Sequence, residues 1–249
     1  MSVKKIVCWN ILHGGSVKRR RTIIDVLLSF DADVFVVSEF RANANGDFIV
    51  KALKDAGYHT SHPPAVPLKE NTILLASRTH FLQERPLVGD LPNQWRLWVA
   101  ELNWLKLCGV YIPDGKTKTP YWKAVIQAMA SNSEILFMGD FNTGSNTLDK
   151  DPKGTRFIGA EYLDRVAEQG FVDLWRSRHP AAREYTWYSR RRGVRNGFRL
   201  DHAFGPPDID RRIVSCTYSH EPRCGGASDH SALVLELREP DGTSPSGTS

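Results

Sequence analysis

Asp140 and Asn142 stand together at the end of an apolar run, Glu134-Ile135-Leu136-Phe137-Met138-Gly139-Asp140-Phe141-Asn142. A run of this length closed by glycine predicts a buried strand whose turn carries an acid and an amide out of the core. A carboxylate placed there can orient or deprotonate a water, and the amide can hold substrate or nucleophile. The same Asp-x-Asn spacing also makes a plain turn with no chemistry. Further polar groups adjoin apolar runs in the same way: Asn10, Glu39, Tyr111, Asp201 and the pair Asp229-His230. Repetition at six such places predicts that strand ends converge on one site.

The chemistry these side chains suit is phosphate-ester hydrolysis assisted by a divalent cation. Mg²⁺ prefers carboxylate oxygens and takes only one or two, keeping water and substrate phosphate besides. Glu39 is the first candidate ligand; its other reading is a surface glutamate after a strand. His230 can donate a proton or hydrogen bond to charge developing on phosphorus, and Asp201 can fix its tautomer. A lone histidine is otherwise structural, the class into which His202, His220 and the other five fall. Tyr111 sets a phenol against a phosphate oxygen, or is an interfacial aromatic.

A second informative segment is 185–199, in which Arg190, Arg191, Arg192, Arg195 and Arg199 alternate with aromatics and two glycines. Arginines that neutralise phosphates beside rings that stack on bases or sugars make a nucleic-acid groove. The other reading is a solvated hairpin loop with core aromatics at its base. The run into Asp201 favours the groove. Lys18 to Arg21 extends the basic surface or is the charged face of a helix.

The elements that must position these groups follow from periodicity. Strands are expected at 5–11, 33–39, 72–76, 81–88, 95–104, 106–112 and 134–140, then at 185–189, 198–204, 212–219 and 231–237. Helices are expected after Ser16 as a cap, at 47–56, from Thr119-Pro120 to about 130, at 159–169 and at 171–178. Two blocks of strands, each with helices, do not fit strict βα alternation. They predict an α/β (α+β) fold of two mostly antiparallel sheets packed face to face with helices outside. Residues 1–238 form one domain, and the low-complexity tail 239–249 is expected to be disordered.

Composition sets the frame. A chain of 249 residues with 41% apolar and 24% charged residues can bury a sizeable core. Its net charge of +5 suits a polyanionic partner, or is a surface with slightly more arginine than acid. Cys8, Cys108, Cys216 and Cys224 include no Cys-x-x-Cys pair, so a disulfide framework is not expected. No apolar stretch approaches the ~20 residues of a membrane span, and the start lacks the features of a signal peptide. A cytoplasmic monomer with no membrane partner is the expectation.

In chain order, Cys8-Trp9-Asn10-Ile11, Val37-Ser38-Glu39, Gly109-Val110-Tyr111-Ile112-Pro113, Gly139-Asp140-Phe141-Asn142, Tyr185-Thr186-Trp187, Gly197-Phe198-Arg199-Leu200-Asp201 and Ser228-Asp229-His230 resemble the endonuclease/exonuclease/phosphatase superfamily. The likeness runs over about 5–238 and is greatest to the exonuclease III-like apurinic/apyrimidinic endonucleases. The resemblance implies a four-layer α/β sandwich and phosphodiester cleavage that depends on Mg²⁺ (or Mn²⁺). It implies that Glu39 ligates the metal with Asn10 and Asp229 near it. It also implies that Asp140 positions the water, Asn142 and Tyr111 contact phosphate, and His230, paired with Asp201, stabilises the phosphorane-like transition state. Trp187, Phe198 and Leu200 match positions that line an abasic-sugar pocket in repair members. Ser38, Asp114, Leu12 and His202 depart from residues common in the family, and none removes a core catalytic group. The expected function is a metal-dependent nuclease acting on nucleic acid, most of all DNA, with abasic sites as one substrate. The alternatives are hydrolysis of RNA or small phosphoesters on the same fold, and a silent nucleic-acid-binding module.

Overall fold

Apolar runs without polar alternation, such as 6–9 and 34–37, belong to strands covered on both faces. The computed structural model describes residues 2–132, 134–191 and 194–240 and puts these runs in the centre of sheets. The chain begins with β1 (Val3–Asn10), α1 (Arg20–Ser29), β2 (Val34–Phe40) and α2 (Ala44–Asp55). It continues through β3 (His59–Ser61), β4 (Thr72–Ser77), β5 (Gln83–Pro86), β6 (Leu97–Glu101), β7 (Lys106–Tyr111), α3 (Thr119–Ser131) and β8 (Ile135–Asp140). The last part holds α4 (Glu161–Glu168), β9 (Val172–Asp173), β10 (Trp187–Arg191), β11 (Val194–Phe198) and β12 (Asp201–Gly205). It ends with α5 (Pro207–Arg212), β13 (Ile213–Ser219), α6 (Glu221–Cys224) and β14 (Ala232–Arg238).

Two six-stranded sheets result, ordered β13-β14-β1-β2-β4-β3 and β5-β6-β7-β8-β12-β9, with β10 and β11 as a separate hairpin. Each sheet is antiparallel except for one inner parallel pair, β1 with β2 and β7 with β8. A parallel pair needs a crossover, and α1 and α3 supply them. Alternate residues of each inner strand face opposite ways. Ile6, Cys8, Val34 and Val36 meet Trp98, Leu107, Leu136 and Met138 between the sheets. Val7, Trp9, Phe35 and Val37 pack instead on Ile23, Leu27, Ile49 and Leu53 of α1 and α2. Phe137 and Val110 pack on Trp122 and Val125 of α3. Three apolar interfaces make four layers, the sandwich expected from the sequence. No helix among the described residues is long and apolar enough to cross a membrane.

Several local expectations change. The stretch 171–178 is a two-residue strand followed by turns, although Asp173 Oδ1 accepts from the Trp175 and Arg176 amides as a helix cap does. The one turn it caps is not continued: the Leu174 carbonyl takes the Arg178 guanidinium, and Pro180 follows. Ser16 is not a side-chain cap; its carbonyl accepts from the amides of Arg19 and Arg20, and α1 begins at Arg20. The expected strand 198–204 divides, Phe198 ending the hairpin and Asp201 starting β12. β3, α5 and α6 had no sequence signal strong enough to mark them. Past the expected domain end, the Glu239 amide donates to the Ser2 carbonyl at 3.0 Å. Residues 241–249 of the expected tail lie outside the described residues.

Candidate active site

Parallel pairing aligns strand ends, and this alignment assembles the site. Asn10 pairs with Ser38 at the ends of β1 and β2, and Tyr111 pairs with Asp140 at the ends of β7 and β8. Asp201 pairs with Asp140 from the other side. A register shift between Val37 and Phe40 lets Glu39 leave the ladder, and its backbone sits in the left-handed region at φ 54°. Such a bulge re-aims one side chain. The wholly buried Asn10 amide then spans the sheets: Nδ2 donates to Glu39 Oε1 at 3.1 Å and to Asp140 Oδ2 at 2.8 Å. Its Oδ1 accepts from the Leu12 amide at 2.9 Å, which fixes which end of the amide faces the acids.

Gly139 allows β8 to end where it does, since a Cβ there would lie 1.9 Å from the Val110 carbonyl. The turn beyond Asp140 is held tightly. The Asn142 amide donates to Asp140 Oδ1 at 2.9 Å, and its side-chain Nδ2 donates to the Ile112 carbonyl at 2.9 Å. Asn142 is left-handed at φ 47°, and the buried Lys118 ammonium donates to its carbonyl at 2.6 Å.

His230 and Asp201 form a buried pair, Nδ1 to Oδ2 at 2.9 Å. Trp9 Nε1 donates to the His230 carbonyl, and the Ser228 hydroxyl donates to the Asn10 carbonyl, so the loop is tied to β1. Burial alone pushes the His230 pKa down, but the Asp201 carboxylate outweighs it and lifts it to about 10. Burial, reinforced by Asp201, pushes the Asp140 carboxyl above the usual carboxylate range. Burial also works against the Glu39 charge, yet the hydrogen bond from His13 prevails and brings its pKa down to about 2. Tyr111 is driven upward, chiefly by burial, and its hydroxyl accepts from Asn71 Nδ2 at 3.2 Å.

Asp140, Asp201 and His230 bring potential ligand atoms within 4.8 Å of one another. Two buried oxygens here, Asp201 Oδ1 and Asp229 Oδ1, have no hydrogen-bond partner. The unpartnered Asp229 oxygen and the Glu39 carboxylate, which line one cleft, are a donor set that fits a hard divalent cation.

These groups border a cleft of about 420 Å³. Of the residues singled out from the sequence, Glu39, Asp140, Asn142, Asp229 and His230 line it, together with Trp187, Phe198 and Leu200. Asn10 and Asp201 lie behind that lining, each with 0% exposure. Trp187 Nε1 donates to Asp229 Oδ2 at 2.9 Å, so the apolar wall and the acid are coupled.

The arginine segment divides. Arg192 and the side chains of Arg190 and Arg191 lie outside the described residues. Arg195 is exposed, its guanidinium 4.0 Å from the centre of the Tyr188 ring. Arg199 corrects the expectation of a substrate contact. It is 1% exposed and clamped between Asp149 and Asp173, with Nε to Asp149 Oδ1 at 2.7 Å and Nη2 to Asp173 Oδ2 at 2.6 Å. Two buried carboxylates take up its donors.

Four residues of the site's immediate surroundings have no site role in the sequence reading, which placed His13 among the structural histidines. His13 Nδ1 lies 2.8 Å from Glu39 Oε2, Asn71 joins His13 to Tyr111, and Lys118 and Thr143 support the Asn142 turn. His13 did have a signal, since it follows the Asn10 strand end directly before a Gly14-Gly15 turn. Asn71 had none: its role depends on β4 lying beside β2, a pairing remote in sequence.

The Endonuclease/Exonuclease/phosphatase family matches the chain over residues 7–230. The exodeoxyribonuclease of Bacillus subtilis (strain 168) is 24% identical over 254 residues, covering 93% of this chain and 98% of that protein. Among solved structures, the 3' phosphatase NExo from Neisseria, bound to a product DNA hairpin, superposes with a TM-score of 0.81. It is 21% identical, with 94% of this chain and 99% of that one covered. An AP endonuclease from Archaeoglobus fulgidus gives a TM-score of 0.79 at 22% identity, covering 93% and 98%.

Proposed function

The chain belongs to the Endonuclease/Exonuclease/phosphatase family, and on that premise we propose that it is a divalent-metal-dependent phosphodiesterase that hydrolyses phosphodiester bonds of DNA. The observation that carries this reading is the Asn10 amide bonded at once to Glu39 and Asp140, beside the Asp201–His230 pair in one cleft. The names of the Bacillus and Archaeoglobus relatives, an exodeoxyribonuclease and an AP endonuclease, support DNA as the polymer.

In this reading Asp140 orients a water in line with the scissile phosphorus and takes its proton. The raised affinity of this carboxyl for a proton suits a general base. The water oxygen bonds to phosphorus as the bond to the leaving sugar oxygen breaks. Asn142 spends its backbone amide and both Nδ2 hydrogens on Asp140 and Ile112, so it fixes the base, and it reaches phosphate by exchanging one of those bonds. His230 is held protonated and gives a charge-assisted hydrogen bond to a non-bridging oxygen, while Asp201 fixes its ring. A protonated imidazole has no lone pair to offer a metal, so Glu39, with Asn10 and Asp229 near it, is the better place for Mg²⁺ or Mn²⁺ than the Asp140–Asp201–His230 trio. When bound, such an ion polarises the phosphoryl oxygens and offsets the charge of the leaving oxygen. Tyr111 supports this arrangement through Asn71. Trp187, Phe198 and Leu200 form an apolar wall suited to a sugar without its base, and Arg195 adds a phosphate-binding charge beside it.

The test sets purified protein against intact duplex, abasic-site duplex, single-stranded RNA and a phosphomonoester, each with Mg²⁺ and with chelator. DNA cleavage is expected with Mg²⁺ only, and Asp140→Asn is expected to lower it by about 10²–10⁴-fold. Cleavage that survives the chelator, or full activity in Asp140→Asn, would overturn the mechanism.

A further inference from the structure

The cleft contains a metal-ligating side chain that the proposed mechanism does not use. His13 folds round one oxygen of Glu39: its backbone amide donates to Oε2 at 2.7 Å, and its ring Nδ1 lies 2.8 Å from the same atom. The backbone that achieves this is unusual. Leu12, His13, Gly14 and Gly15 are all left-handed, with φ of 55°, 55°, 69° and 69°. Glycine adopts that conformation freely, but leucine and histidine do so only where their surroundings compel it. Here the compulsion is visible: the Leu12 amide is bonded to Asn10 Oδ1, and the Gly14 amide to the Glu39 carbonyl at 2.6 Å. Strain imposed on two side-chain-bearing residues delivers one imidazole to the carboxylate that is the first-choice metal ligand.

The ring nitrogen is also over-committed. Asn71 has its amide fixed, Oδ1 accepting from Arg41 Nε at 2.7 Å and Nδ2 directed to Tyr111 and to His13 Nδ1 at 3.0 Å. Nδ1 therefore faces a donor on one side and the Glu39 acceptor on the other, and it can satisfy only one. With a proton on Nδ1 the ring donates to Glu39, and the Asn71 Nδ2 donor is left facing an N–H. A cation shared by Nδ1 and Oε2 would take the place of the proton between them and leave Asn71 its bond to Tyr111.

We propose that His13 is a metal ligand alongside Glu39, giving this chain a mixed nitrogen–oxygen site that favours Mn²⁺ or Zn²⁺ over Mg²⁺. Imidazole is a usual ligand of Zn²⁺, and Mn²⁺ accepts it more readily than Mg²⁺, which selects oxygen donors. The inference rests on the metal site placed at Glu39 in the proposed function, and it predicts a preference that function alone does not require.

The experiment reads ligation directly, apart from catalysis. Mn²⁺ is bound to wild type, His13→Asn and His230→Asn, and pulsed EPR detects nitrogen bound to the ion. Asparagine tolerates the left-handed backbone and removes the imidazole; His13→Gly suits the same backbone should the asparagine variant fail to fold. Nitrogen modulation is expected in wild type and His230→Asn and absent in both His13 variants. By titration calorimetry, Mn²⁺ and Zn²⁺ affinity should fall at least about tenfold in His13→Asn, with a smaller change for Mg²⁺. Mn²⁺ bound without nitrogen modulation overturns the assignment and leaves the Glu39 site standing. Modulation that disappears only in His230→Asn reassigns the ligand and overturns it too. Failure of wild type to bind any divalent ion removes both.

Discussion

Two largely buried polar clusters are built from the same residue types, yet they are balanced in opposite ways. In one, Arg199 joins Asp149 and Asp173, with Arg176 and His202 completing the set. Burial works against both carboxylates, but the guanidinium prevails and holds both below the usual carboxylate range. In the other, Glu39, Asp140, Asp201 and Asp229 have amides and imidazoles for company, and no guanidinium bonds to them among the described residues. Asp140 is driven up, and two oxygens remain unpartnered. The first cluster is complete in itself and holds the fold. The second is complete only with something from outside, which is the signature of a site. They are connected: His202 reaches the Thr143 carbonyl at 2.8 Å, so the balanced cluster props the turn that presents Asn142.

That contrast can be broken at its strongest point by Arg199→Ala. The variant leaves Asp173 without a guanidinium and Asp149 with Arg176 alone, and should lose about 3–5 kcal/mol of unfolding free energy in denaturant titrations. A loss below about 1 kcal/mol would mean that the cluster is not the brace described here. A divalent cation at about 100 times its dissociation constant should stabilise wild type by about 2.7 kcal/mol and Glu39→Gln by much less. An equal shift in both proteins would detach the cation from Glu39.

The finest comparison is in pH. For His230 the folded pKa, about 10, lies above the ordinary 6.5, so its contribution is full below pH 6.5 and is lost as pH rises through 10. For Asp173 the folded value lies below the ordinary 3.8, so its contribution is present above that pH and is lost on acidification. In metal-free protein, the stability gap between wild type and His230→Asn should narrow towards alkaline pH. The gap to Asp173→Asn should narrow towards acid. Gaps that stay constant with pH would show that neither group is linked to folding as its surroundings require.

Much of this was legible in the residues. Continuous apolar runs marked the buried strands, and polar residues after them marked Asn10, Glu39 and Asp140, because a strand covered on both faces can show a polar group only at its end; Asp201 instead opens β12. The Gly139-Asp140-Phe141-Asn142 turn was readable for the same reason. Arg199 was not. It lies among exposed arginines in sequence, and only the packing of β9 and the 145–149 turn decides that its guanidinium points inward to two acids.

The sequence by itself determined the layered class, the inner strands and the acids at their ends, since periodicity and composition are local properties of the chain. The tertiary structure alone decided partners. It set one amide between two sheets, gave Arg199 to the frame and not to the groove, and curled His13 onto Glu39. Those choices depend on register and on left-handed backbone held by distant hydrogen bonds, and neither is encoded within any single stretch of residues.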